Sequence, residues 1–269
     1  MSTDDVFRRL LRGSVSEPTL SRLGTAVAER NGEPLESVRP LEADNWLSTP
    51  CVVNERYFLK VITGQNSLVH ALLTVGRNLG AVSSGRVGFF DHVATPVEMA
   101  KRELAATREM RALGANAPEP LDAFEFEDYG VLVLEYLPAF RTLDSLSAAE
   151  ASGLAPDIFA GLAVLHDNGL AHGDLRAENV LVADGDLYFI DATTVSAGAV
   201  ADARAYDLAC ALAALEPLVG AGRAVTAAGG SYGTDALRAA VRFLPFVAVR
   251  PDHDFDPIAL RGELDKRLD

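Results

Sequence analysis

Short apolar runs bounded by polar residues mark the chain between residues 37 and 63. The segments SVRPLEA, STPCVVN and RYFLKVI are rich in residues that favour strands, and Asn54-Glu55 suits a tight turn between the last two. LDAFEFED and GVLVLEYL predict two more strands, joined at Tyr129-Gly130. We therefore expect a small antiparallel sheet in this part of the chain.

Apolar residues recur at helical spacing on either side of these strands. VFRRLLRG and LSRLGTAVAERNG predict two N-terminal helices, which either form a recognition arm or pack on the rest of the protein. PVEMAKRELAATREMRALG predicts a longer helix that begins at Pro96 and ends at Gly114. Further helices are predicted in SLVHALLTVGRNLGAVSSG and near residues 147–168, 201–219 and 234–247.

A β-rich first half with one main helix, followed by a helical second half, predicts an α+β fold with two lobes. We expect the boundary between Leu137 and Thr142. The predicted parts are an N-terminal helical extension, a sheet-containing lobe with an insert, and a mostly helical lobe, at residues 1–36, 37–137 (insert 64–95) and 138–269.

Composition narrows the classes of function. The net charge of −14 repels nucleic-acid backbones, which argues against a DNA-binding surface. No run of about 18 uncharged apolar residues and no signal peptide are evident, so we expect a cytoplasmic protein without membrane contact. Cys51 and Cys210 lie far apart in apolar runs, which predicts buried thiols. The acidic excess and the scarcity of lysine resemble the composition of halophilic proteins.

The run HGDLRAENVLVADGDLYFID, at residues 172–191, carries the candidate chemistry. VLVA and LYFI flank Asp184-Gly185, a dipeptide suited to a two-residue hairpin turn. Counting outward pairs Asn179 with Ile190, so Asn179 and Asp191 should lie together at the open end. Their oxygen atoms suit Mg²⁺ completed by substrate phosphate oxygens. The alternative is a solvated loop before an ordinary hairpin.

HGDLRAEN followed by the strand-final Asp191 resembles the catalytic loop and metal-binding Asp of the protein-kinase-like superfamily. This resemblance implies ATP and Mg²⁺ as cofactors. Asp174 would accept the proton of the attacking hydroxyl, and Asn179 and Asp191 would hold the metal. Arg176 would lie near the transferring phosphate, and His172 would brace the loop.

The same resemblance implies roles outside this loop. Lys60, at the end of RYFLK, would bind the phosphates, and its partner would be Glu103 rather than Glu98 or Glu109. Asp207, in RAYDLACAL, would tie down the catalytic loop.

Adenine would bind backbone groups of a hinge formed by Glu135, Tyr136 and Leu137 in GVLVLEYL. LEADNWLSTP stands where a glycine-rich loop is usual, so the segment from Asn45 to Thr49, including Ser48, would cover the phosphates.

Departures from regulated kinases indicate the branch. The loop reads HGD rather than HRD, Asp191 is followed by Ala-Thr rather than Phe-Gly, and 15 residues without an APE motif separate Asp191 from Asp207. These features resemble RIO-type kinases and the small kinase of the archaeal KEOPS complex. They imply phosphorylation of protein serine or threonine, or a regulatory ATPase, with a protein substrate or a ribosomal or tRNA-modification complex as partner.

Two alternatives remain open at this point. Aminoglycoside and choline phosphotransferases share the HGD loop, and a nucleotide-gated assembly factor would need little kinase activity. The acidic DHDFD near residue 252 is interpreted as a solvated tail rather than a second metal site.

Overall fold

A computed structural model describes residues 15–41, 48–64, 95–192, 200–250 and 252–269. The predicted helices in VFRRLLRG and SLVHALLTVGRNLGAVSSG lie outside these residues, as do Asn45, Trp46 and Leu47 of the predicted phosphate cover. The described residues belong to two compact units, the first formed by 15–64, 95–108 and 118–138 and the second by 109–117 and 139–269.

The α-helices of the described residues are α1 (Glu17–Arg30), α2 (Pro96–Ala112), α3 (Ala148–Asp167), α4 (Val200–Val219), α5 (Ala221–Ser231), α6 (Thr234–Val241), α7 (Leu244–Val247) and α8 (Pro257–Leu268). Their strands are β1 (Val38–Pro40), β2 (Thr49–Val53), β3 (Tyr57–Ile62), β4 (Pro120–Phe126), β5 (Tyr129–Glu135), β6 (Arg141–Thr142), β7 (Val180–Ala183) and β8 (Asp186–Phe189). Short 3₁₀ turns occupy Leu143–Ser145 and Ala177–Asn179. The predicted fold class, an antiparallel sheet followed by a mostly helical part, is confirmed.

The first unit contains an antiparallel sheet in the order β1-β2-β3-β5-β4. Successive residues of a strand face opposite sides of a sheet, so β3 contributes to two cores. Leu59 and Val61 pack with Leu23 of α1, whereas Ile62 packs with Leu104 of α2. The helix in LSRLGTAVAERNG therefore covers one face of the sheet, as one of the two sequence interpretations requires.

The turn between β4 and β5 lies at residues 127–128, where Glu127 has a left-handed φ of 53°. The prediction of a turn at Tyr129-Gly130 is wrong, because both residues belong to β5. A Cβ atom on Gly130 would lie 2.0 Å from the carbonyl oxygen of Pro96. Glycine is required here because the start of α2 approaches the strand backbone closely.

The second unit is built around α3, whose packing partners include α4 and α5. Ser147 begins α3 with a capping box, since its hydroxyl accepts from the Glu150 N–H and the Glu150 carboxylate accepts from the Ser147 N–H. By length and composition alone, α3 is apolar enough to cross a membrane. Its buried Phe159 and Leu162 are equally typical of a core helix.

The C-terminal helices differ from the sequence prediction. The helix expected at 234–247 is divided into α6 and α7. Pro245 explains the division, because it lacks the N–H that a continuous helix would donate to Val241. Helices α5 and α8 were not predicted, and α8 occupies part of the expected tail.

Candidate active site

Lys60 and Glu103 form an ion pair inside the first unit. Lys60 Nζ lies 2.9 Å from each carboxylate oxygen of Glu103, and the two side chains are 8% and 14% exposed. Strand alternation places Lys60 on the same face of β3 as Ile62, the face that α2 covers. The partner that the sequence favoured over Glu98 and Glu109 is thus in bidentate contact with the ammonium.

The predicted hinge follows β5 in the same unit. The N–H groups of Glu135 and Tyr136 donate to the carbonyl oxygens of Glu119 and Arg56, each at 2.8 Å. Because these two N–H groups already donate within the protein, the predicted contacts with adenine would be made by the carbonyl groups of the hinge and the N–H of Leu137.

Ser48, predicted to cover the phosphates, lies directly before β2 and is 4% exposed. Its hydroxyl oxygen has no hydrogen-bond partner among the described residues. The hydroxyl of Ser48 is therefore buried, and no contact with a described residue tests its predicted role.

In the second unit, Asp207 of α4 fixes the start of the catalytic loop. Its carboxylate is fully buried and accepts from the N–H of Gly173 at 2.8 Å and from that of His172 at 2.5 Å. The same carboxylate lies 3.3 Å from His166 Nε2, and Tyr232 Oη lies 2.9 Å from His166 Nδ1. A buried carboxylate is stable in such a place because several donors surround it.

The side chain of His172, the first residue of the catalytic loop, is buried. Burial lowers the pKa of its imidazole, although Asp207 and Asp174 act in the opposite direction. The neutral ring can accept a hydrogen bond, and Nδ1 lies 3.4 Å from the Asp174 N–H. Its edge packs against Phe189 with a centroid distance of 6.1 Å. These contacts suit the bracing role that the resemblance implies.

Asn179 ends the loop with a fixed side chain. Its Nδ2 donates to the carbonyl oxygen of Asp174 at 2.7 Å, and the residue is 2% exposed. Since the amide nitrogen is held by this bond, Oδ1 is the atom that can coordinate a cation.

The hairpin after Asn179 has the predicted register, with Val180 opposite Phe189. The Ile190 N–H donates to the carbonyl oxygen of Asn179 at 3.0 Å and extends the pairing by one residue. Asp191 follows with a left-handed φ of 61°, a conformation that non-glycine residues adopt infrequently and that clusters at functional sites.

Asp174, the predicted base, pairs with an arginine that the sequence analysis did not single out. Its Oδ1 accepts from Arg250 Nη2 at 2.9 Å, and both side chains are 7% exposed. Arg250 also contacts the hydroxyl of Tyr206 and the carboxylate of Asp252. Burial alone would lower the pKa of Arg250, but the neighbouring Tyr206 and Asp174 raise it, so the guanidinium stays charged.

Arg176 completes a ring of alternating charges. Its Nε lies 3.5 Å from Asp174 Oδ2 and 3.7 Å from Asp252 Oδ2, and its Nη1 donates to Glu178 at 3.0 Å. We call Asp174, Arg250, Asp252 and Arg176 the Asp174 ring. Burial acts to raise the pKa of the Asp252 carboxyl, but the hydrogen bond and the positive charge of Arg250 together outweigh burial and lower it.

The interpretation of DHDFD as a solvated tail is therefore wrong for its first two residues, Asp252 and His253. Asp252 belongs to the ring, and the side chain of His253 is also buried. Burial and the neighbouring Arg250 lower the pKa of His253 to about 4. An arginine two residues before an aspartate was the one local signal of this ion pair.

The predicted site residues thus fall into two groups, each within one unit. Lys60, Glu103 and the hinge belong to the first unit. Asp174, Arg176, Asn179 and Asp191 belong to the second.

A magnesium site formed by Asn179 and Asp191 fits the chemistry of these donors, because an amide oxygen and a carboxylate are hard ligands that leave positions for phosphate oxygens. A cation coordinated by side chains alone would need more ligands than these two. Within the described residues, no group of three or more His, Cys, Asp or Glu side chains is arranged to hold a metal.

Comparison with solved structures defines the class of fold. Choline kinase LicA from Streptococcus pneumoniae has a TM-score of 0.50 and 13% identity, covering 92% of this chain and 99% of that chain. A protein from Haemophilus somnus described as a fructosamine-3-kinase has a TM-score of 0.52 and 11% identity, covering 91% and 96%. At these identities the likeness concerns the fold alone, which is protein-kinase-like.

Sequence comparison shows which branch of kinase-like proteins this chain is similar to. Residues 91–200 match the RIO domain family. KEOPS complex subunit Bud32 of Pyrococcus abyssi is 30% identical over 94 residues, which cover 34% of this chain and 41% of that protein. Serine/threonine-protein kinase PknG of Mycolicibacterium smegmatis is 27% identical over 165 residues, which cover 56% and 21%. The matches span less than half the length of these relatives, and they support similarity to RIO-type, atypical protein-kinase-like proteins.

Proposed function

We propose that this chain is an ATP- and Mg²⁺-dependent phosphotransferase whose acceptor is a serine or threonine hydroxyl of a protein. The observation that carries the proposal is the fixed catalytic loop, in which Asp207 accepts from two loop N–H groups and Asn179 is bonded to the Asp174 carbonyl. The RIO domain match and the kinase-like fold support the phosphotransferase class. The similarity to PknG supports a protein acceptor.

In the proposed reaction, the acceptor oxygen forms a bond to the γ-phosphorus while the bond from that phosphorus to the β,γ-bridging oxygen breaks, and ADP leaves. Asp174 orients the acceptor hydroxyl and receives its proton. Asn179 Oδ1 and the Asp191 carboxylate would hold Mg²⁺. When bound, the metal offsets the negative charge of the phosphates.

The two cationic side chains have separate roles. Lys60, oriented by Glu103, would bind a phosphate oxygen of ATP, and Arg176 would stabilise charge on the transferring group. Positioning and electrostatics of this kind provide most of the acceleration in phosphoryl transfer.

The test compares the wild-type chain with Asp174→Asn, using γ-labelled ATP in molar KCl. We expect Asp174→Asn to bind Mg·ATP with unchanged affinity and to lose about 10²- to 10⁴-fold in turnover. Asp235→Asn, which changes a fully exposed aspartate of the same unit, is the matched control and should retain turnover. Equal turnover by wild type and Asp174→Asn would refute the role of Asp174.

The acceptor is tested by incubating the enzyme and γ-labelled ATP with a protein extract and, separately, with a panel of aminoglycosides and choline. Label on protein serine or threonine supports the proposal. Label on a small alcohol instead would identify a small-molecule phosphotransferase, and ATP binding without transfer would indicate a nucleotide-gated assembly factor.

We further propose that the protein acts within a larger assembly, because of its similarity to a KEOPS complex subunit. Purification in high salt followed by identification of bound proteins tests this. Recovery of the chain alone, from its native host and without any stoichiometric partner, would count against it.

A further inference from the structure

We infer that Arg250 is a positioning residue for Asp174, and that Asp252 keeps Arg250 in place. The inference rests on the proposed phosphotransferase function. It adds to the active site a segment that lies beyond the RIO domain match at residues 91–200.

The contact between Arg250 and Asp174 is close and buried. Arg250 Nη2 donates to Asp174 Oδ1 at 2.9 Å, and neither side chain exceeds 7% exposure. Hydrogen bonds between a guanidinium and a carboxylate are stronger and more directional than neutral ones. The bond therefore restricts rotation of the carboxylate about its χ2 angle.

Arg250 is itself held from two other directions. Its Nε donates to Asp252 Oδ1 at 2.8 Å, and its Nη1 contacts the hydroxyl of Tyr206 on α4. A planar guanidinium holds its donors in fixed directions that suit these three partners, whereas an ammonium is a compact charge on a flexible stem with rotatable donors. Arg250 thus links the side chain of Asp174 to α4 and fixes its position relative to that helix.

The two carboxylate oxygens of Asp174 face different arginines. Oδ1 accepts from Arg250 Nη2, and Oδ2 lies 3.5 Å from Arg176 Nε. This nitrogen is buried and makes no hydrogen bond within the described residues. The proton acceptor and the cation proposed for the transferring phosphate are therefore adjacent on one side of the carboxylate.

The experiment is a double-mutant cycle on the full chain, with Mg·ATP as substrate and water or the chain's own hydroxyls as acceptor. The variants are Arg250→Met, Asp174→Asn and the combination of the two. Single-turnover release of labelled phosphate, autophosphorylation, the Kd for Mg·ATP and the Tm are measured for each. Arg238→Met, which removes an exposed pair with Asp235 in the same unit, is the control.

We expect Arg250→Met to lower the turnover rate about 10- to 100-fold, because misplacement of a reacting group has effects of this size. The Kd for Mg·ATP should stay within about twofold, since Arg250 does not bind nucleotide in this scheme. In the Asp174→Asn background, Arg250→Met should cause no further loss, because residues that act as a unit are not additive. Arg250→Lys should recover part of the rate.

If Arg250→Met does not fold, Asp252→Asn takes its place in the same cycle. This substitution removes the charge that holds Arg250 and keeps both Arg250 and Asp174. We expect a smaller loss, about 3- to 10-fold, that again disappears in the Asp174→Asn background.

Equal losses in both backgrounds would overturn the inference, because they would indicate a general structural role. A rise in turnover on loss of Arg250 would also overturn it, since the ion pair would then restrain Asp174. Either result leaves the proposed function intact if the wild type turns over ATP. A wild-type chain that binds Mg·ATP without any turnover would refute both.

Discussion

Glu103 holds the ammonium of Lys60 with both of its carboxylate oxygens, each 2.9 Å from Nζ. The pair lies on the sheet face where Ile62 and Leu132 pack with Leu104 of α2. A charge in such surroundings is stable when its partner is present and costly when it is not.

Removal of one partner should therefore destabilise the protein more than removal of both. We expect Glu103→Leu and Lys60→Met each to lower the free energy of unfolding by about 3 to 5 kcal/mol. The double variant should recover most of this loss, because an apolar pair replaces the ion pair on an apolar face. Urea unfolding measures the free energies of unfolding of wild type and variants, provided that all of them have the same m-value.

The same three variants separate stability from activity. All should lose Mg·ATP turnover, including the double variant whose stability is restored. A double variant as unstable as the sum of the two single variants would show that the two charges do not interact in the native protein.

Asp207 is predicted to order the catalytic loop through two backbone hydrogen bonds. Asp207→Ala leaves the buried N–H groups of His172 and Gly173 without this acceptor, which should cost about 1 to 3 kcal/mol for each. Asp207→Asn keeps one carbonyl oxygen and should be milder. Hydrogen exchange at these two amides should accelerate most in Asp207→Ala.

An exposed aspartate of α3 provides the comparison for Asp207. Asp157→Asn should change neither the exchange of the loop amides nor the stability by more than about 0.5 kcal/mol. Unchanged protection of His172 and Gly173 in Asp207→Ala would mean that the loop is ordered by other contacts.

The features that the sequence predicts well are those with a local cause. Strand alternation is enough to place Lys60 on one face of β3, and a two-residue turn sets the register of the hairpin after Asn179. Each of these predictions depends on residues within a few positions of one another. The sheet, the main helix α2 and the catalytic hairpin could therefore be derived without coordinates.

The Asp174 ring has no such local cause. Arg250 and Asp174 are 76 residues apart, and their meeting depends on how α4, α6 and α7 pack. Locally, the acidic run after Arg250 has the composition of a solvated segment. Burial of Asp252 and His253 is a tertiary effect that composition cannot reveal.

Gly130 was correctly recognised as a position with a structural requirement, but that requirement was wrongly interpreted as a turn. Glycine beside Tyr129 suggested a turn, but the structure requires it for close approach to Pro96. We expect Gly130→Ala to destabilise the protein by about 1 to 3 kcal/mol, because the added methyl group would collide with backbone atoms. Thermal or urea unfolding measures the change.

Gly153 is the matched control for this substitution. It is exposed within α3, and a methyl group added there would meet no atom within 4 Å beyond its chain neighbours and the backbone of its own helix. Gly153→Ala should stabilise the protein by about 0.5 to 1 kcal/mol, since alanine favours helix. Opposite signs at the two glycines are the expected result, and a neutral Gly130→Ala would contradict the close approach.

His253 should make stability depend on pH in a defined direction. Burial and Arg250 lower its pKa to about 4 in the folded protein, and Asp252, Asp174 and Arg176 are the other charged groups that face it. Because an unfolded histidine has a pKa of about 6.5, the unfolded chain binds the proton first as the pH falls. The contribution of His253 is therefore fully present above about pH 6.5 and is lost towards pH 4.

The size of this effect follows from the difference between the two pKa values. Over that interval the unfolding free energy should fall by up to about 3 kcal/mol because of His253 alone. His253→Phe cannot take up a proton, so its stability should decline less steeply between pH 6.5 and 4. Carboxylates that titrate in the same range act equally in both proteins, and the difference between the two urea-unfolding curves isolates the histidine. Parallel curves for wild type and His253→Phe would show that this histidine is protonated as readily in the folded protein as in the unfolded chain.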